Sequence, residues 1–195
     1  IESDHLLRSG IVECSYQQDP DNLCWYPCLN GRVAVLTYEQ SQKIAGWVDI
    51  RAAGGGTADG IIESTASIPS DGGDVTYAIV RRTIAGETVR SVEYMAPFYE
   101  TGDDLAEAIY ADAAGMATGS GITSVTGLWY LRGETGGLLC DGVDVGNATI
   151  SATGVLTLPA ACDTVVWGKR YTSRAQTLRA PQAGNQDGSA LGRRM

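Results

Sequence analysis

Histidine is almost absent from this chain, whose 195 residues contain a single one, His5. Nucleophilic catalysis of the Ser-His-Asp or Cys-His type needs a histidine as its base. Here that base would have to come from the first residues of the chain. A zinc site is disfavoured as well, because Cys24 and Cys28 would need two further ligands. We therefore expect no metal and no catalysis of this kind.

Long apolar runs and phosphate-binding motifs are also missing. No run approaches the roughly 18 apolar residues that a membrane-spanning helix needs, and no signal peptide opens the chain, so we expect no membrane anchor. The glycines of 54–56 are followed by Thr57 without the Gly-Lys-Ser/Thr pattern of a nucleotide-binding loop. We expect a flexible turn at this place and no cofactor.

Cysteines are few and their number is odd: Cys14, Cys24, Cys28, Cys140 and Cys162. An odd, scattered set argues against a complete disulfide framework and for synthesis in a reducing compartment. Cys24 and Cys28 are four positions apart, a spacing that places both on one face of a β-strand. We expect both to be buried as small apolar side chains.

The charge is negative and unevenly distributed. The chain carries −9 in total, but residues 1–168 carry −14 and residues 169–195 carry +5. An acidic body repels nucleic acid and anionic lipid. The basic end could contact phosphate, but docking on an acidic neighbour is the simpler interpretation. We therefore take four of its residues as candidates for contact with an adjacent domain or subunit: Lys169, Arg170, Arg174 and Arg179.

Glycine is frequent, with 25 residues, and the apolar runs between the glycines are short. This pattern is typical of a β-rich protein with many turns. Two runs meet at Asn30-Gly31, which predicts a type I′ hairpin turn, and a second hairpin is predicted around Ala85-Gly86-Glu87. The strands predicted in the first half cover 23–28, 32–38, 44–50, 61–68, 74–83 and 88–94. Their spacing of about ten residues is typical of a sandwich or propeller, and we assign 1–98 to partial β-propeller blades.

The middle of the chain is predicted to be helical. Apolar residues at helical spacing, with carboxylates at the start, predict one short helix over 103–116. A joint rich in glycine and serine follows over 115–121. A calcium loop is not predicted, because the alternating oxygen ligands and the central glycine of an EF-hand are missing. We assign 99–121 to an acidic helical connector.

A second β unit is predicted over 122–171, as a small β-sandwich or barrel. Trp129 and Trp167 are expected to pack inside this module or at a contact. Residues 172–195 are predicted to form a basic extended arm. The fold class is therefore all-β, with one short helix between two β units. The strands of the second unit are predicted over 125–131, 138–141, 145–150, 155–158 and 164–168, with a turn at Asp141-Gly142.

Two pairs of carboxylates leave glycoside hydrolysis open on residue types alone: Asp71 with Asp74, and Asp141 with Asp144. Carboxylates in glycine-rich turns usually form and cap the turn while staying solvated. We prefer that interpretation, and we expect no enzyme activity.

Three passages follow one another in a distinctive order. The first has a tryptophan, a turn, a polar-aromatic run and a second tryptophan: Trp25, Asn30-Gly31, 36–40 and Trp47. The second is the hairpin 77–94, with arginines on both strands. The third is 125–142, closed by 167–173. In this order the passages resemble the tail nozzle (tail tubular protein B-like) proteins of short-tailed bacteriophages, the podoviruses.

The resemblance implies a β-propeller with an adjoining small β domain, of which this chain looks like an internal fragment. It also implies a homo-hexameric ring below the portal and its adaptor, in contact with tail fibre proteins. Genomic DNA would pass through the lumen without sequence-specific contact, which suits an acidic lining. The protein would lie in the virion tail after synthesis in the host bacterial cytoplasm. Cys28, Leu29 and Trp129-Tyr130 depart from the residues usual in that family.

Two other classes of protein stay open. A carbohydrate- or receptor-binding β module of a phage tail would need exposed aromatic residues on one face, with Trp25, Trp47 or Trp129 as candidates. A fragment of a β-rich glycosidase would need two carboxylates facing each other in a cleft. The nozzle assignment predicts neither feature. It predicts buried tryptophans and broad subunit contacts.

Overall fold

The computed structural model describes residues 4–175. This part contains one short α-helix, α1 (Asp4–Leu7), and two 3-10 turns, Leu105–Glu107 and Trp129–Leu131. The rest of its regular structure is extended. The strands are β1 (Ser15–Gln17), β2 (Leu23–Pro27), β3 (Val33–Glu39), β4 (Ile44–Ile50), β5 (Ile61–Ile68), β6 (Val75–Ile84), β7 (Glu87–Tyr94), β8 (Asp112–Val125), β9 (Thr135–Cys140), β10 (Val143–Thr149) and β11 (Leu156–Lys169).

These strands form three antiparallel sheets, which confirms the predicted all-β class. Sheet 1 has the order β1-β2-β3-β4, sheet 2 the order β5-β6-β7, and sheet 3 the order β10-β9-β11-β8. Within residues 4–175 the sheets close neither a barrel nor a propeller ring. The assignments to partial propeller blades and to a small β-sandwich or barrel therefore stay predictions. No helix in this part is long and apolar enough to cross a membrane.

The first half follows the predicted strand pattern closely. β4 and β5 have the predicted bounds, 44–50 and 61–68. β6 and β7 pair from Tyr77↔Tyr94 to Ile84↔Glu87, and both residues between these strands have positive φ, 50° at Ala85 and 81° at Gly86. Two consecutive left-handed residues define a type I′ turn, which matches the twist of the strands.

The turn between β2 and β3 differs from the prediction. Only Gly31 has positive φ, at 81°, and its N–H donates to the carbonyl of Cys28 at 2.8 Å. This is a longer, bulged hairpin loop with one left-handed glycine, so the type I′ prediction at Asn30-Gly31 was wrong. A tertiary contact explains the difference. The carbonyl of Gly31 accepts the N–H of Ile62 at 2.9 Å, and a Cβ on Gly31 would lie 3.0 Å from the Ile61 side chain.

The helix predicted over 103–116 is wrong. Only a 3-10 turn forms, Leu105–Glu107, which Asp104 caps by accepting the N–H of Ala106 at 2.9 Å. Strand β8 begins soon afterwards at Asp112 and includes the predicted joint 115–121. The segment from Asp112 is a strand because it pairs with β11, and the ring of Trp167 lies where a Cβ on Gly115 would be. The glycine therefore serves a close strand contact and not a flexible link.

Sheet 3 contains one long strand where the sequence predicted two short ones. The predicted strands 155–158 and 164–168 are one strand, β11, which pairs with β8 from Leu156↔Val125 to Lys169↔Asp112. The predicted strand 125–131 is wrong, because β8 ends at Val125 and a 3-10 turn follows. The turn at Asp141-Gly142 is confirmed, with φ of 49° and 79°. β8 crosses the predicted boundary at 121/122, while the division of the chain into four units stays a prediction.

Two buried clusters hold the sheets together. The inner faces of sheets 1 and 2 share one cluster, which consists of Trp25, Val33, Val35, Ala52, Ile62 and Val80. The second cluster lies on sheet 3 and includes Leu138, Val165 and Trp167. Ile84, at the end of β6, is fully buried in this second cluster. Sheet 2 therefore packs on both neighbours through its inner face.

The cysteines are partly bonded. Cys140 and Cys162 form a disulfide between β9 and β11 with their Cα atoms 5.6 Å apart, whereas Cys14, Cys24 and Cys28 are free thiols. One bond among five cysteines is not a complete framework, but the sequence had indicated no pair. Cys28 is buried as predicted. Cys24 is only half-buried, because β2 turns Trp25 and Pro27 to the core and Cys24 to the opposite side.

Candidate functional site

Three of the carboxylates considered for catalysis have structural roles, whereas His5 and Asp71 are only exposed. His5 lies exposed on α1. Asp74 accepts the N–H groups of Gln18 and Asp19 at 2.7 and 3.3 Å, which ties the β5–β6 turn to the segment after β1. Such capping is what solvated turn carboxylates do. Asp71, its partner in the sequence pattern, is exposed in the same turn.

The second carboxylate pair is equally engaged. Asp141 accepts the N–H groups of Asp163 and Thr164 at 3.0 and 2.7 Å. Asp144 accepts the N–H of Gly146 at 2.8 Å and pairs with Arg170 at 2.8 Å. The Gly146 bond, followed by the Arg170 bond, lowers the pKa of Asp144. Both carboxylates are already bound, and the lowered pKa of Asp144 is the opposite of what a general acid needs.

The four basic candidates for inter-subunit contact lie in different surroundings. Lys169 is buried and ion-paired with Glu134 inside the chain. Arg170 is exposed but bound to Asp144 on β10. Arg174 is exposed, and Arg179 lies outside the described residues. Lys169 is therefore not available for the predicted contact with another subunit, because its side chain is buried in its own chain. An inter-subunit role of the arginines stays a prediction.

Lys169 and Glu134 hold the glycine loop 54–56 in place. Lys169 Nζ donates to Glu134 Oε2 and to the carbonyl of Gly56, the latter at 3.2 Å. The same Oε2 atom accepts the N–H of Gly56 at 2.8 Å. Gly55 lies so close to the carbonyl of Thr83 that no Cβ fits there. This latch, as we call the Glu134–Lys169–Gly56 contact, replaces the flexible turn predicted at 54–56.

A second polar network joins sheet 2 to sheet 3. The Arg82 side chain is 3% exposed and donates to Glu93 Oε2 at 2.9 Å, to Ser91 at 3.1 Å and to the carbonyl of Ala53 at 2.6 Å. The N–H of Ala53 in turn donates to Asp112 at 2.7 Å. Burial raises the pKa of Asp112, and the Ala53 bond and the charge of Arg82 oppose the rise. The network is satisfied internally and offers no free group to a substrate.

Sequence reasoning missed this network, although a signal was present. Val80, Arg82 and Ile84 alternate along β6 and so share one face of the strand. An arginine between two buried apolar residues on such a face must find a partner. The other side of β6 carries Val75, Tyr77, Ile79 and Arg81 and is more exposed; we call it the outer face of sheet 2.

The outer face of sheet 2 is apolar and exposed. Tyr77 lies opposite Tyr94 with ring centroids 6.2 Å apart, and Ile79 lies opposite Val92, which is 73% exposed. Ile68 extends the patch on β5. A charged rim borders it, where Glu63 accepts from Arg81 at 2.7 Å and from Arg90 at 2.8 Å. The Arg90 bond lowers the pKa of Glu63.

The outer face of sheet 1 is aromatic. One rung crosses all four strands, Tyr16↔Cys24↔Leu36↔Trp47. Tyr26 packs on Trp47 with ring centroids 5.8 Å apart. Tyr16 and Tyr38 are half exposed, at 52% and 51%. Burial, followed by the neighbouring Cys24 and Cys14 thiols, raises the pKa of Tyr26 to about 12.

A cleft of about 250 Å³ lies against sheet 3, lined by Tyr110, Leu139 and Val166 with the Asp144–Arg170 pair at its edge. It is smaller than most small-molecule sites, which span roughly 300 to 1,000 Å³. Its ionic groups are already bound to each other, so the cleft has apolar walls and few free polar groups.

One set of side chains within residues 4–175 has metal-ligand spacing. Atoms of Cys140, Asp141 and Cys162 lie within 4.8 Å of one another. The two sulfur atoms are bonded to each other in the disulfide, and a metal ligand has to be a thiolate. Asp141 is also occupied by two backbone N–H groups. This donor set therefore does not fit a metal in the observed state.

Of the four tryptophans, Trp25 and Trp167 are buried, Trp47 is half-buried and Trp129 is 60% exposed.

No protein-family model matches the chain, and a search of curated proteins found no match. The functional assignment therefore depends on the residues and their geometry.

Proposed function

We propose that this chain is a structural module of the tail of a short-tailed bacteriophage and forms part of the nozzle ring below the portal and its adaptor. One observation carries the proposal. The passages that resemble nozzle proteins overlap with structural units: 22–47 contains β2, β3 and the first part of β4, 77–94 contains most of the hairpin β6–β7, and 125–142 contains β9 and the turn that leads to β10.

The arrangement of charged groups supports a passive structural role. Three of the four carboxylates considered for catalysis, Asp74, Asp141 and Asp144, accept backbone N–H groups. The ionic groups of Arg82, Glu134 and Lys169 bind the loop 53–56. The body of the chain is acidic, with −14 over residues 1–168. In a lumen such a surface would repel the phosphate backbone, so that genomic DNA slides without sequence-specific contact.

The proposed assembly is a homo-hexamer in the virion tail, built after synthesis in the host bacterial cytoplasm. Its neighbours would be the portal, the adaptor and the tail fibre proteins, and it needs no cofactor. Mass photometry with negative-stain imaging of the intact gene product tests this. We expect a six-fold ring with a central hole. A stable monomer in the presence of portal and adaptor would overturn the proposal.

An exposed tryptophan favours a second candidate, a carbohydrate- or receptor-binding module of a phage tail. Trp129 is 60% exposed and packs edge-on against Tyr130, with ring centroids 6.4 Å apart. Exposed aromatic rings of this kind can stack on sugars. A glycan array comparing the wild type with Trp129→Ala tests this candidate. Binding that the variant loses would favour it over the nozzle.

A further inference from the structure

We propose that Cys140, Asp141 and Cys162 form a redox-controlled site for a thiophilic divalent cation such as Zn²⁺. The cation binds when the disulfide is reduced and leaves when the disulfide closes. In the oxidised state described above the two sulfur atoms are bonded to each other, so they cannot ligate a metal. The inference goes beyond the proposed function and does not depend on it.

Two strands and a turn bring the three side chains together. Cys140 ends β9, Asp141 begins the turn to β10, and Cys162 lies on β11. Their two sulfur atoms and one carboxylate oxygen lie within 4.8 Å of one another. Zinc binds thiolate sulfur at about 2.3 Å and carboxylate oxygen at about 2.1 Å, and three protein ligands with one water complete a tetrahedron. Reduction therefore turns this cluster into a set of three ligands.

Asp141 is held in the way that ligating carboxylates usually are. Its Oδ1 atom accepts the N–H groups of Asp163 and Thr164 at 3.0 and 2.7 Å, and its own N–H donates to the carbonyl of Thr164 at 2.9 Å. Hydrogen bonds of this kind orient a carboxylate for a metal. Within residues 4–175 both side-chain bonds use Oδ1, so Oδ2 keeps its lone pairs for a cation.

The two sulfur atoms can separate once their bond is broken. Tetrahedral geometry with Zn–S bonds of about 2.3 Å places two sulfurs about 3.8 Å apart. Cys162 lies between two register shifts of the β8–β11 pairing, one after Thr157 and one before Thr164. Residues at such irregularities lie outside the regular ladder, so the Cys162 side chain can rotate without breaking paired strand. Cys140 is half-buried at the end of β9, within reach of a reductant and a cation.

The exchange needs a dithiol reductant in one direction and a disulfide oxidant in the other. The dithiol gives two electrons and two protons, so the S–S bond breaks, both cysteines become thiols and the dithiol becomes a disulfide. Zn²⁺ then displaces the two thiol protons to solvent as the Zn–S bonds form. The oxidant takes two electrons from the thiolates and two protons from solvent, the S–S bond forms again and Zn²⁺ leaves. Dithiols are supplied by the reducing compartment in which we expect synthesis.

Co²⁺ is the first probe, because thiolate ligands in tetrahedral geometry give it characteristic absorption bands. The full chain is reduced with a phosphine, kept anaerobic and titrated with Co²⁺ and then with Zn²⁺. We expect one thiolate-bound Co²⁺ per chain, displaced by Zn²⁺, and no such band in the oxidised chain. Reduced wild type without thiolate bands overturns the proposal.

Cysteine variants separate this site from the free thiols elsewhere in the chain. Cys162→Ser should abolish the Co²⁺ bands. Cys24→Ser removes a half-buried free thiol on sheet 1 and should bind Co²⁺ like the wild type. Bands that survive Cys162→Ser would place the metal on other cysteines and overturn the proposal.

A pair of carboxylate variants tests the third ligand. Asp141→Asn keeps an oxygen for the two backbone N–H groups but loses the charge, so Co²⁺ binding should weaken about tenfold or more. Asp163→Asn is the matched control. Asp163 is exposed, follows Cys162 and accepts the N–H of Gly121 at 2.8 Å, and its variant should bind like the wild type. Equal affinities in the two variants would overturn the assignment of Asp141 as a ligand.

Release of zinc tests the redox step itself. The zinc-loaded chain is treated with a low-molecular-weight disulfide, while a chromophoric chelator measures free Zn²⁺ and a thiol reagent measures the remaining thiols. We expect one Zn²⁺ released for each pair of thiols lost, and zinc that stays bound after Cys140 and Cys162 have closed would overturn the proposal. Far-UV circular dichroism checks that each reduced variant is folded. If Cys162→Ser does not fold, the comparison of Asp141→Asn with Asp163→Asn decides.

Discussion

Lys169 and Glu134 form an ion pair in which both side chains are nearly buried, at 7% and 12% exposure. The pair closes the latch on Gly56, which lies in the loop before β5. Removing one member of a buried pair leaves the other charged and without compensation, which costs far more than losing an exposed pair.

Replacing Lys169 by Met should therefore destabilise the protein strongly. We expect a loss of about 3 to 5 kcal/mol in the free energy of unfolding, which corresponds to a drop in melting temperature of roughly 6 to 20 °C for a chain of this size. Thermal and urea unfolding measure both quantities. Arg170→Met is the matched control, because its pair with Asp144 is half exposed, at 52% and 55%. That variant should melt almost like the wild type, and equal losses in both variants would contradict a buried latch.

Gly55→Ala should also destabilise the chain. A Cβ at this position would collide with the carbonyl of Thr83, and a backbone atom cannot move aside cheaply. We expect a cost of about 1 to 3 kcal/mol, as for overpacked cores. Gly72 is the control, because no atom lies within 4 Å of its Cβ position and its φ is not left-handed. Gly72→Ala should be neutral or should stabilise by up to about 1 kcal/mol in urea unfolding; a stable Gly55→Ala would show that the loop is loose.

Ala85→Asn should stabilise the β6–β7 hairpin. Ala85 has φ of 50°, a conformation that costs alanine energy and that asparagine tolerates better. Asn-Gly is also the preferred pair in type I′ turns. We expect a gain of about 0.5 to 1 kcal/mol in chemical denaturation. Ala58→Asn, at an exposed alanine without positive φ, should stay within about 0.5 kcal/mol of the wild type. A destabilised Ala85→Asn would contradict the turn assignment.

Asp112→Asn should change the dependence of stability on pH. Burial raises the folded-state pKa of Asp112 above its ordinary 3.8, so the folded chain binds this proton more tightly than the unfolded chain does. Its contribution to the free energy of unfolding therefore falls as the pH rises above 3.8 toward the folded pKa. Asparagine does not ionise, so the variant does not lose this stability as the pH rises. Its amide oxygen can still accept the N–H of Ala53. Urea unfolding between pH 4 and neutrality should show the variant gaining on the wild type as the pH rises.

Asp144→Asn provides the control of opposite sign for this experiment. Bonds from Gly146 and Arg170 lower the pKa of Asp144, so its contribution is present above 3.8 and is lost as the pH falls through the folded pKa. This variant should fall behind the wild type as the pH rises through 3.8, so its unfolding curves have to begin below that pH. Parallel curves for Asp112→Asn and the wild type would show that Asp112 is not desolvated.

Local patterns predicted the first half of the fold well. The alternation around Ala85-Gly86 and the bounds of β4 and β5 follow from turn residues and strand periodicity, which act over a few neighbouring positions. The helix prediction for 103–116 was wrong because the apolar spacing suited a helix, whereas β11, which is distant in the sequence, pairs with the segment from Asp112 as a strand. Gly115 shows the cause, since its lack of a side chain makes room for Trp167. No local pattern contains that information.

The candidate surfaces were predictable only in part. The passages that resemble nozzle proteins contain the hairpins. The alternation of Tyr77 and Ile79 on β6 could have shown that one side of sheet 2 is apolar. Which side is covered depends on the packing of Trp25 and Val80 between sheets. The partner of Lys169 was equally hidden, because Glu134 lies 35 residues away in the sequence, just before β9.

The latch also constrains the order in which the chain can fold during synthesis. The bond from Lys169 to the carbonyl of Gly56 spans 113 residues. At a synthesis rate of about 5 to 20 residues per second, the loop waits roughly 6 to 23 seconds for its partner. Sheets 1 and 2 can form in that interval, because their strands lie early in the chain. The glycine loop stays hydrated until the end of β11 has left the ribosome, so the nascent chain acquires its two halves in sequence and joins them last.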